Sequence, residues 1–242
     1  MYRKPPDKNK KERRKHMKII GHILTDFPTK FGLPRQSGIS DDIKGMLVFE
    51  EEYRVKEAFR GLEDFSHIWV LWQFSEALRD NWKPTVRPPL LGGNKRMGVF
   101  ATRSPFRPNG IGLSCVKIEK IDFEHSNGPV IYVSGCDMMN GTPIYDIKPY
   151  LPYADCRTDA TGGFTDSLDE RKIEVICDFR LLEKIPTDKR QELISSLSMD
   201  PRPSYQNDEN REYGLRFSDF DIGFKVKDNV LTVIRIEKAT DF

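Results

Sequence analysis

The sequence predicts a mainly β protein, a barrel or a sandwich, followed by a small α+β unit. The apolar runs are short and rich in β-branched and aromatic residues, and the segments between them are long and rich in proline and glycine. Little of the first part of the chain has the periodicity of a helix. The 242 residues, 38% of them hydrophobic, suffice for one large domain, or for one domain and a smaller companion.

Six strand-like runs precede residue 140. They are "MKIIGHILTDF", "MLVFEEEY", "SHIWVLWQFSEAL", "MGVFATR", "GLSCVKIEKIDF" and "PVIYVSGCDM". The third run is the most apolar, and its Trp, Ile, Val and Phe content favours a strand over a buried helix. One short helix is expected over "YRVKEAFRGLEDF", ending near Gly61. Long loops on such a scaffold are the usual place for function.

A polar stretch of small residues predicts a domain boundary after the first unit. The expected division is a basic arm at 1–16, a first domain at 17–156, a linker at 157–170 and a second domain at 171–242. In the second domain, "PTDKRQELISSLS" has the start signal and the apolar face of a helix. Strands are expected over "RKIEVICDFRL", "REYGLRF", "DIGFKVK" and "NVLTVIRIE", the last two joined by the pair Asp228-Asn229.

Charge is concentrated at the amino-terminal end. Residues 1–18 carry nine lysine or arginine residues and two acidic ones, whereas the whole chain has a net charge of +2. A basic arm on a mildly acidic body is compatible with nucleic-acid binding, and equally with a solubilising extension. No apolar run has the form of a signal peptide or the length of a membrane span.

The cysteines and histidines show no metal-binding pattern. The four cysteines are each about twenty residues from the next, and neither CxxC nor HxxxH occurs. Three of the cysteines lie in or beside apolar runs, where a small buried thiol is the usual explanation. The sequence therefore predicts a protein of a reducing compartment without a structural metal.

Three loops combine a proline-set backbone with charged side chains: "LPRQSG" at 33–38, "TRSPFRPNGIG" at 102–112 and "NGTPIYDIKPYLPYAD" at 140–155. The guanidinium groups of Arg35, Arg103 and Arg107 can each bind a carboxylate or phosphate with two hydrogen bonds. Asp146 and Lys148 alternate along "YDIKP", so an extended backbone places both on one side. The alternative is that the prolines and glycines only shape the connections of the barrel, and that the arginines are solvated side chains at its rim.

No common catalytic signature is present: the sequence lacks GxGxxG, a Walker lysine motif and a GxSxG elbow. A Rossmann-type methyltransferase or dehydrogenase is therefore disfavoured.

Several long motifs resemble one known family. "RMGVFATRSPFRPNGIGLS", "GTPIYDIKPYLPYAD", "LPRQSG", "GLEDFSHIWVLWQF" and "WKPTVRPPLLGGN" closely match the TrmO (YaeB- or TsaA-like) family of tRNA (adenine-37, N6) methyltransferases. The match covers about residues 17–156, and "DPRPSY" resembles the motif of the family's carboxy-terminal domain. The resemblance implies a non-Rossmann β-barrel that binds S-adenosylmethionine. It also implies methylation of threonylcarbamoyladenosine beside a tRNA anticodon, by a cytoplasmic homodimer.

The resemblance also implies site residues. The expected cofactor-binding positions are Arg35, Gln36, Ser75, Glu76, Arg103, Leu113, Gly141, Thr142 and Pro143. Asp200, Arg202 and Tyr205, in and beside "DPRPSY", are expected to act on the nucleoside as catalytic residues. Arg107, Asp146 and Lys148 are the candidate substrate-binding residues, and no metal is expected.

The chain departs from the family's pattern at two positions. Gly110 stands where the family has a second proline, and Asn140 stands where an aspartate is usual. Both residues are compatible with turns, so the departures bear on cofactor affinity more than on family membership. Two other classes stay open from the residues alone: a non-catalytic RNA-binding barrel, and a hydrolase of a small anionic ester with Asp146 or Asp200 as base.

Overall fold

The computed structural model describes residues 17–77, 81–91, 95–166, 172–202 and 208–240. The predicted basic arm and Tyr205 lie outside the described residues. The first part of the described chain contains strands β1 (Gly21–Leu24), β2 (Lys44–Phe49), β3 (His67–Gln73), β4 (Thr85–Val86), β5 (Met97–Gly98), β6 (Ile111–Asp122), β7 (Val130–Ser134) and β8 (Thr142–Pro149), then helix α1 (Pro152–Asp155).

Six of these strands close into a barrel in the order β1-β2-β7-β6-β3-β8. Every neighbouring pair is antiparallel, and β1 pairs with β8 to close the ring, with Gly21 opposite Ile144. The short hairpin β4–β5 stands apart as a two-stranded sheet, inserted between β3 and β6. The predicted mainly β class with a barrel is confirmed.

Alternation of side chains along β3 explains how the barrel is filled. Ile68, Val70 and Trp72 are buried while the residues between them are only partly covered, the pattern of a strand with one face in a core. Gly112 on β6 lies opposite Trp72 on β3. A Cβ atom at residue 112 would lie 2.1 Å from the Trp72 indole ring, so a side chain there would clash. This glycine therefore serves core packing rather than close approach to a ligand.

The rest of the chain forms a second sheet with helices. Its elements are β9 (Glu174–Cys177), α2 (Phe179–Leu182), α3 (Thr187–Ser198), β10 (Tyr213–Phe217), β11 (Phe220–Lys227) and β12 (Val230–Lys238). The strand order is β10-β11-β12-β9, and only β9 runs parallel to its neighbour. Helix α3 buries Leu193 and Leu197 as predicted. Asp228 and Asn229 form the predicted turn, with the positive φ angles of a type I′ hairpin. The domain limits themselves stay a prediction.

Three predicted elements were wrong. The segment "MGVFATR" is a strand only at Met97–Gly98 and then forms a 3-10 turn. The helix expected over residues 53–65 is instead two 3-10 turns, Lys56–Phe59 and Leu62–Asp64, which are separated by the left-handed backbone of Gly61. The third loop is largely strand β8, because its "YDIKP" portion pairs with β3. Short-range composition marked its prolines as loop-forming, whereas tertiary pairing decided the outcome.

The loop between β1 and β2, residues 25–43, joins the barrel to the second sheet. Its Asp26 accepts a hydrogen bond from the Lys189 ammonium at 2.5 Å, and its Asp42 accepts one from the Ser195 hydroxyl at 2.5 Å. The Ser196 hydroxyl, fully buried, donates to the Gly32 carbonyl at 2.6 Å. One apolar core runs through both sheets across this loop. The loop also packs its aromatic rings on the second sheet, with Phe27 against Phe217 and Phe31 against Phe224, so α3, the second sheet and one barrel loop build the contact surface.

Within the described residues, no helix is long and apolar enough to cross a membrane. The same residues contain no group of three His, Cys, Asp or Glu side chains placed to hold a metal ion. All four cysteines are free thiols.

Candidate active site

A large cleft lies at one end of the barrel. Its volume is about 1650 Å³, and it is lined by the loops 33–38 and 102–112, by the β4–β5 hairpin and by residues 161–165 of the predicted linker. A small side pocket of about 120 Å³ adjoins the cleft and shares Ala77, Pro105 and Asp137 with it. Two of the three loops that the sequence singled out therefore meet in one place.

The loop 33–38 is held against the barrel by backbone and side-chain hydrogen bonds. Gly38 donates its N–H to the Gly135 carbonyl at 2.9 Å, with φ of +76° at Gly38. The Ser37 hydroxyl accepts the N–H of Cys115 on β6 at 3.1 Å. These anchors fix the direction in which Arg35 and Gln36, just before them, enter the cleft.

Three predicted cofactor residues are brought together above this anchor. The Arg103 guanidinium donates to the Gln36 side-chain oxygen, and the Gln36 amide nitrogen donates to the Arg35 carbonyl at 2.5 Å. All three residues line the cleft. Among the described residues, no carboxylate forms an ion pair with Arg103, so its charge is available to an anionic ligand.

The loop 102–112 is stiffened by its own polar groups. The Arg107 guanidinium donates to the Thr102 carbonyl at 3.0 Å, and the Thr102 hydroxyl donates to the Val99 carbonyl at 2.9 Å. The N–H of Ser104 is bonded to the Thr102 hydroxyl oxygen at 3.3 Å. Arg107 lines the cleft as a candidate substrate residue, but part of its hydrogen-bonding capacity is used to shape the loop.

A buried polar network lies under the cleft. The Trp72 indole N–H donates to the Ser114 hydroxyl at 2.9 Å, and this hydroxyl donates to the Asp137 carboxylate at 2.5 Å. Burial raises the pKa of the Asp137 carboxyl, while the bonds from Ser114 and from the Ser37 N–H and the charge of Arg103 act in the opposite direction. Asp137 faces both cavities. It is the acidic residue that lines the described part of the cleft.

The remaining predicted cofactor residues divide into two groups. Ser75, Glu76 and Thr142 line the side pocket. Leu113 is a half-exposed residue on β6 and lines neither cavity. Gly141 and Pro143, which flank Thr142 at the start of β8, also line neither cavity.

Asn140, one of the two departures from the family's pattern, has a structural role. Its side-chain oxygen accepts the N–H of Thr25 at 3.1 Å, and its own N–H donates to the Phe27 carbonyl at 2.8 Å. Gly141 then turns the chain with φ of +77° and donates to the Ile23 carbonyl. An uncharged side chain thus fixes the turn that leads into β8.

Asp146 and Lys148 face the same side of β8, as predicted, and form an ion pair of 3.0 Å. Neither residue lines the cleft or the side pocket. Their predicted part in substrate binding has no support from their position on the barrel wall.

Asp200 and Arg202 are paired with each other. The Arg202 guanidinium donates two hydrogen bonds of 2.8 Å to the two oxygens of the Asp200 carboxylate, and the Arg202 N–H donates a third at 3.3 Å. This pairing raises the pKa of Arg202, and the Arg202 side chain is only 11% exposed. Neither residue lines the cleft or the side pocket, so the structure does not bring them together with Arg35 and Arg103. Their predicted catalytic role stays a prediction.

Sequence reasoning missed Asp137, Trp82 and Phe100. Asp137 follows an apolar strand in "SGCDM", and a carboxylate just beyond a buried strand was a usable signal. Trp82 and Phe100 lie in segments quoted for their prolines and for their resemblance to the family, and neither aromatic residue was singled out.

A closed barrel whose end carries guanidinium groups without a carboxylate ion-pair partner among the described residues, beside a partly buried carboxylate, is typical of a protein that binds a small zwitterionic or anionic ligand. Comparison with known proteins is consistent with this class. The profile of the tRNA-methyltransferase O N-terminal domain matches residues 22–156, and that of the TrmO C-terminal domain matches residues 178–239. The chain therefore belongs to the TrmO family.

Individual relatives agree with this assignment. The chain is 38% identical over 226 residues to the tRNA (adenine(37)-N6)-methyltransferase of Escherichia coli K12, which covers 90% of this chain and 96% of that protein. It is 36% identical to an S-adenosyl-L-methionine-binding protein of Archaeoglobus fulgidus over 60% of this chain and 96% of that protein. A crystal structure of TrmO from Pseudomonas aeruginosa superposes with a TM-score of 0.73 and 31% identity, covering 92% of this chain and 97% of that one.

Proposed function

We propose that this protein is an S-adenosylmethionine-dependent tRNA methyltransferase that methylates N6 of adenosine 37, with threonylcarbamoyladenosine as the target nucleoside. The observation that carries the proposal is the convergence of Arg35, Gln36 and Arg103 above Asp137 in a chain of this family. The relatives named as tRNA (adenine(37)-N6)-methyltransferases support the same reaction.

The residues of the cleft fit S-adenosylmethionine. The cofactor carries a carboxylate, a cationic amino group, a sulfonium and an adenine ring. Guanidinium groups from two loops are available to the carboxylate, and the partly buried Asp137 provides an opposite charge for the cationic part. Apolar lining from Pro34, Ala77 and Pro105 suits a planar ring and excludes water.

The chain's part in the reaction is mainly one of placement. When bound, S-adenosylmethionine supplies a methyl group on a positively charged sulfur. Arg103 and Arg35 would hold the carboxylate end of the cofactor, and the buried bonds Trp72–Ser114–Asp137 keep the floor of the site fixed. Methyl transfer to a nitrogen is an in-line displacement, so a rigid site that sets donor and acceptor in line removes much of the barrier.

A methyl-transfer assay with matched tRNA substrates tests the proposal. Radiolabelled methyl groups should enter tRNA that carries threonylcarbamoyladenosine, and incorporation into the same tRNA prepared without this modification should be at least tenfold lower. The exposed Arg60, away from the cleft, offers a control: Arg60→Ala should transfer methyl groups like the wild type. Equal incorporation into both tRNAs would refute the modified substrate, and no incorporation into either would refute the enzyme.

The proposal includes three further parts. The carboxy-terminal residues Asp200, Arg202 and Tyr205 act on the nucleoside, the protein is a homodimer, and it works in the cytoplasm, where tRNA is modified. Arg202→Ala and Tyr205→Ala should reduce methyl transfer at least tenfold while methyl-donor affinity stays near normal. Sedimentation should give the mass of two chains, and fractionation should place the protein with cytoplasmic tRNA. Loss of transfer only in step with loss of stability would make the Asp200–Arg202 pair purely structural.

A further inference from the structure

The β4–β5 lobe, residues 81–91 and 95–101, projects from the barrel between β3 and β6 and carries two exposed aromatic rings. Trp82 is 49% exposed and Phe100 is 72% exposed. Their ring centroids lie 6.0 Å apart with 31° between the planes, so the two rings form a continuous face. Large aromatic rings held together in water mark a surface that contacts a partner.

The charge around these rings has one sign. Seven lysine or arginine side chains and one carboxylate, Asp137 at the floor, line the described cleft. The lobe itself contains no acidic residue and contributes Lys83, Arg87 and Arg96 to the cleft lining. Because the chain as a whole has a net charge of only +2, positive charge is concentrated on this face. The partner that fits it is anionic.

The arginines of the lobe have guanidinium N–H groups available to donate hydrogen bonds to a ligand. Arg96 uses one guanidinium nitrogen to donate to the Thr85 hydroxyl at 2.9 Å, which fixes its orientation along the hairpin and leaves further N–H groups for a ligand. Arg87 is exposed, and no carboxylate among the described residues forms an ion pair with it. Both side chains can therefore donate hydrogen bonds to a phosphate without breaking an ion pair to a carboxylate of the described chain.

We propose that the β4–β5 lobe is the docking surface for the single-stranded loop of the tRNA substrate. The Trp82–Phe100 pair stacks on a nucleotide neighbouring the target adenosine, and Arg87 and Arg96 bind the adjoining phosphates. Aromatic stacking combined with a basic track is how single-stranded RNA is held without reading its sequence. The inference rests on the proposed function and adds the surface that presents the RNA to the cleft.

A second copy of the chain is the less suitable occupant. In a twofold dimer whose axis passes through this face, the face would meet itself and oppose its own positive charge. A phosphate backbone removes this repulsion, and its bases provide flat faces for the two rings.

Binding measurements with labelled tRNA test the aromatic part. Trp82→Ala and Trp82→Leu should each weaken binding about tenfold, because leucine keeps apolar bulk but offers no ring for stacking. Phe179→Ala is the matched control, since Phe179 is 65% exposed on α2, outside the cleft. It should bind tRNA like the wild type. Melting temperatures should be unchanged in all three variants, and calorimetric titration of S-adenosylmethionine separates a loss of tRNA affinity from a loss of cofactor affinity.

The salt dependence of binding tests the charged part. Arg87→Gln combined with Arg96→Gln should reduce the slope of log affinity against log salt by about 1.4, which corresponds to two single-strand phosphate contacts. The control is Arg60→Gln combined with Arg180→Gln, which removes the same charge at exposed sites outside the cleft and should leave the slope within about 0.3 of the wild type. The arginines do not form part of the stacked face, so this measurement decides the proposal if an aromatic variant loses stability.

Two results would overturn the inference while leaving the enzyme in place. Unchanged tRNA affinity and slope in the lobe variants, with normal methyl transfer by the wild type, would place the RNA elsewhere. A change in sedimentation mass without a change in tRNA affinity would assign the lobe to a protein interface. If the wild-type protein neither binds nor methylates tRNA, the proposed function fails together with the inference.

Discussion

The barrel cleft and the contact between α3 and the 25–43 loop use charged residues in opposite ways. At the α3 contact, charged and polar groups are paired within the chain: Lys189 pairs with Asp26, and the Ser195 hydroxyl donates to Asp42. Among the described residues of the cleft, Arg103 donates to a neutral carboxamide and forms no ion pair with a carboxylate, and basic residues outnumber acidic ones seven to one. Matched groups contribute to stability, whereas unmatched positive charge is available for a ligand.

The same contrast separates two arginines that the sequence analysis named as candidate site residues. Arg202 makes a doubly hydrogen-bonded pair with Asp200, so its charge is already compensated inside the chain. Arg103 has no such compensation among the described residues. Changes at the α3 contact should therefore alter stability with little effect on the cofactor, and changes in the cleft should do the reverse.

The largest effect is expected at Glu192, a buried carboxyl of α3 that accepts the Lys44 N–H at 3.1 Å. Burial raises its pKa from an ordinary 4.5 to about 7. Because the folded state holds this proton more tightly, the group's contribution to stability is complete below about pH 4.5 and is lost as the pH rises through about 7. The loss is up to about 3 kcal/mol at pH 8.

Glu192→Gln should remove this dependence, since an amide oxygen can still accept the Lys44 N–H without ionising. Urea unfolding at pH 5 and pH 8 should show a smaller difference for the variant than for the wild type. The exposed Glu63→Gln is the control and should follow the wild type. Parallel pH profiles for all three proteins would contradict the assignment.

A smaller but more specific effect is expected in the cleft. Arg103→Ala should weaken S-adenosylmethionine binding by about 2 kcal/mol, roughly 30-fold, because a carboxylate loses its charged partner. The melting temperature should stay within a degree or two, since the side chain lies at the cleft surface and not in the core. Calorimetric titration measures the affinity, with Arg60→Ala as the control. An unchanged dissociation constant would remove Arg103 from the cofactor site.

The smallest effect is expected for the ion pair on the barrel wall. Lys148→Ala and Asp146→Ala remove an exposed pair, which is worth about 0.5 kcal/mol or less. Both unfolding free energy and methyl-donor affinity should therefore remain near the wild-type values. Reduced methylation of tRNA at unchanged stability would return these two residues to the predicted substrate site.

Sequence patterns were most reliable where local chemistry decided the structure. The Asp228-Asn229 hairpin follows from residues that tolerate positive φ, and α3 follows from the spacing of Leu193, Ile194 and Leu197. The candidate cofactor loops were singled out because proline-framed arginines are unusual in a simple connection. The lining of the cleft by Arg35, Gln36 and Arg103 agrees with that expectation.

Other features depended on contacts between distant parts of the chain. Asp137 is bonded to Ser114 and Ser37 because β6, the segment after β7 and the 25–43 loop meet in the fold, and no short segment contains all three residues. Asp200, which pairs with Arg202, has a positive φ of +48°, a backbone conformation that a local pattern of two charges does not predict. Gly112 is explained by the bulk of Trp72 on the neighbouring strand, a contact that the local sequence does not show.

The closure of the barrel by β1 and β8 has a consequence for how the chain folds. Gly21 pairs with Ile144, so one edge of β1 is paired by a strand that lies more than a hundred residues further along the chain. Non-local antiparallel pairing of this kind makes folding slow, because the entropy of a long chain segment is lost before the contact forms. During synthesis, β1 keeps one unpaired edge until β8 has left the ribosome, and this edge is the surface on which nascent chains are prone to aggregate.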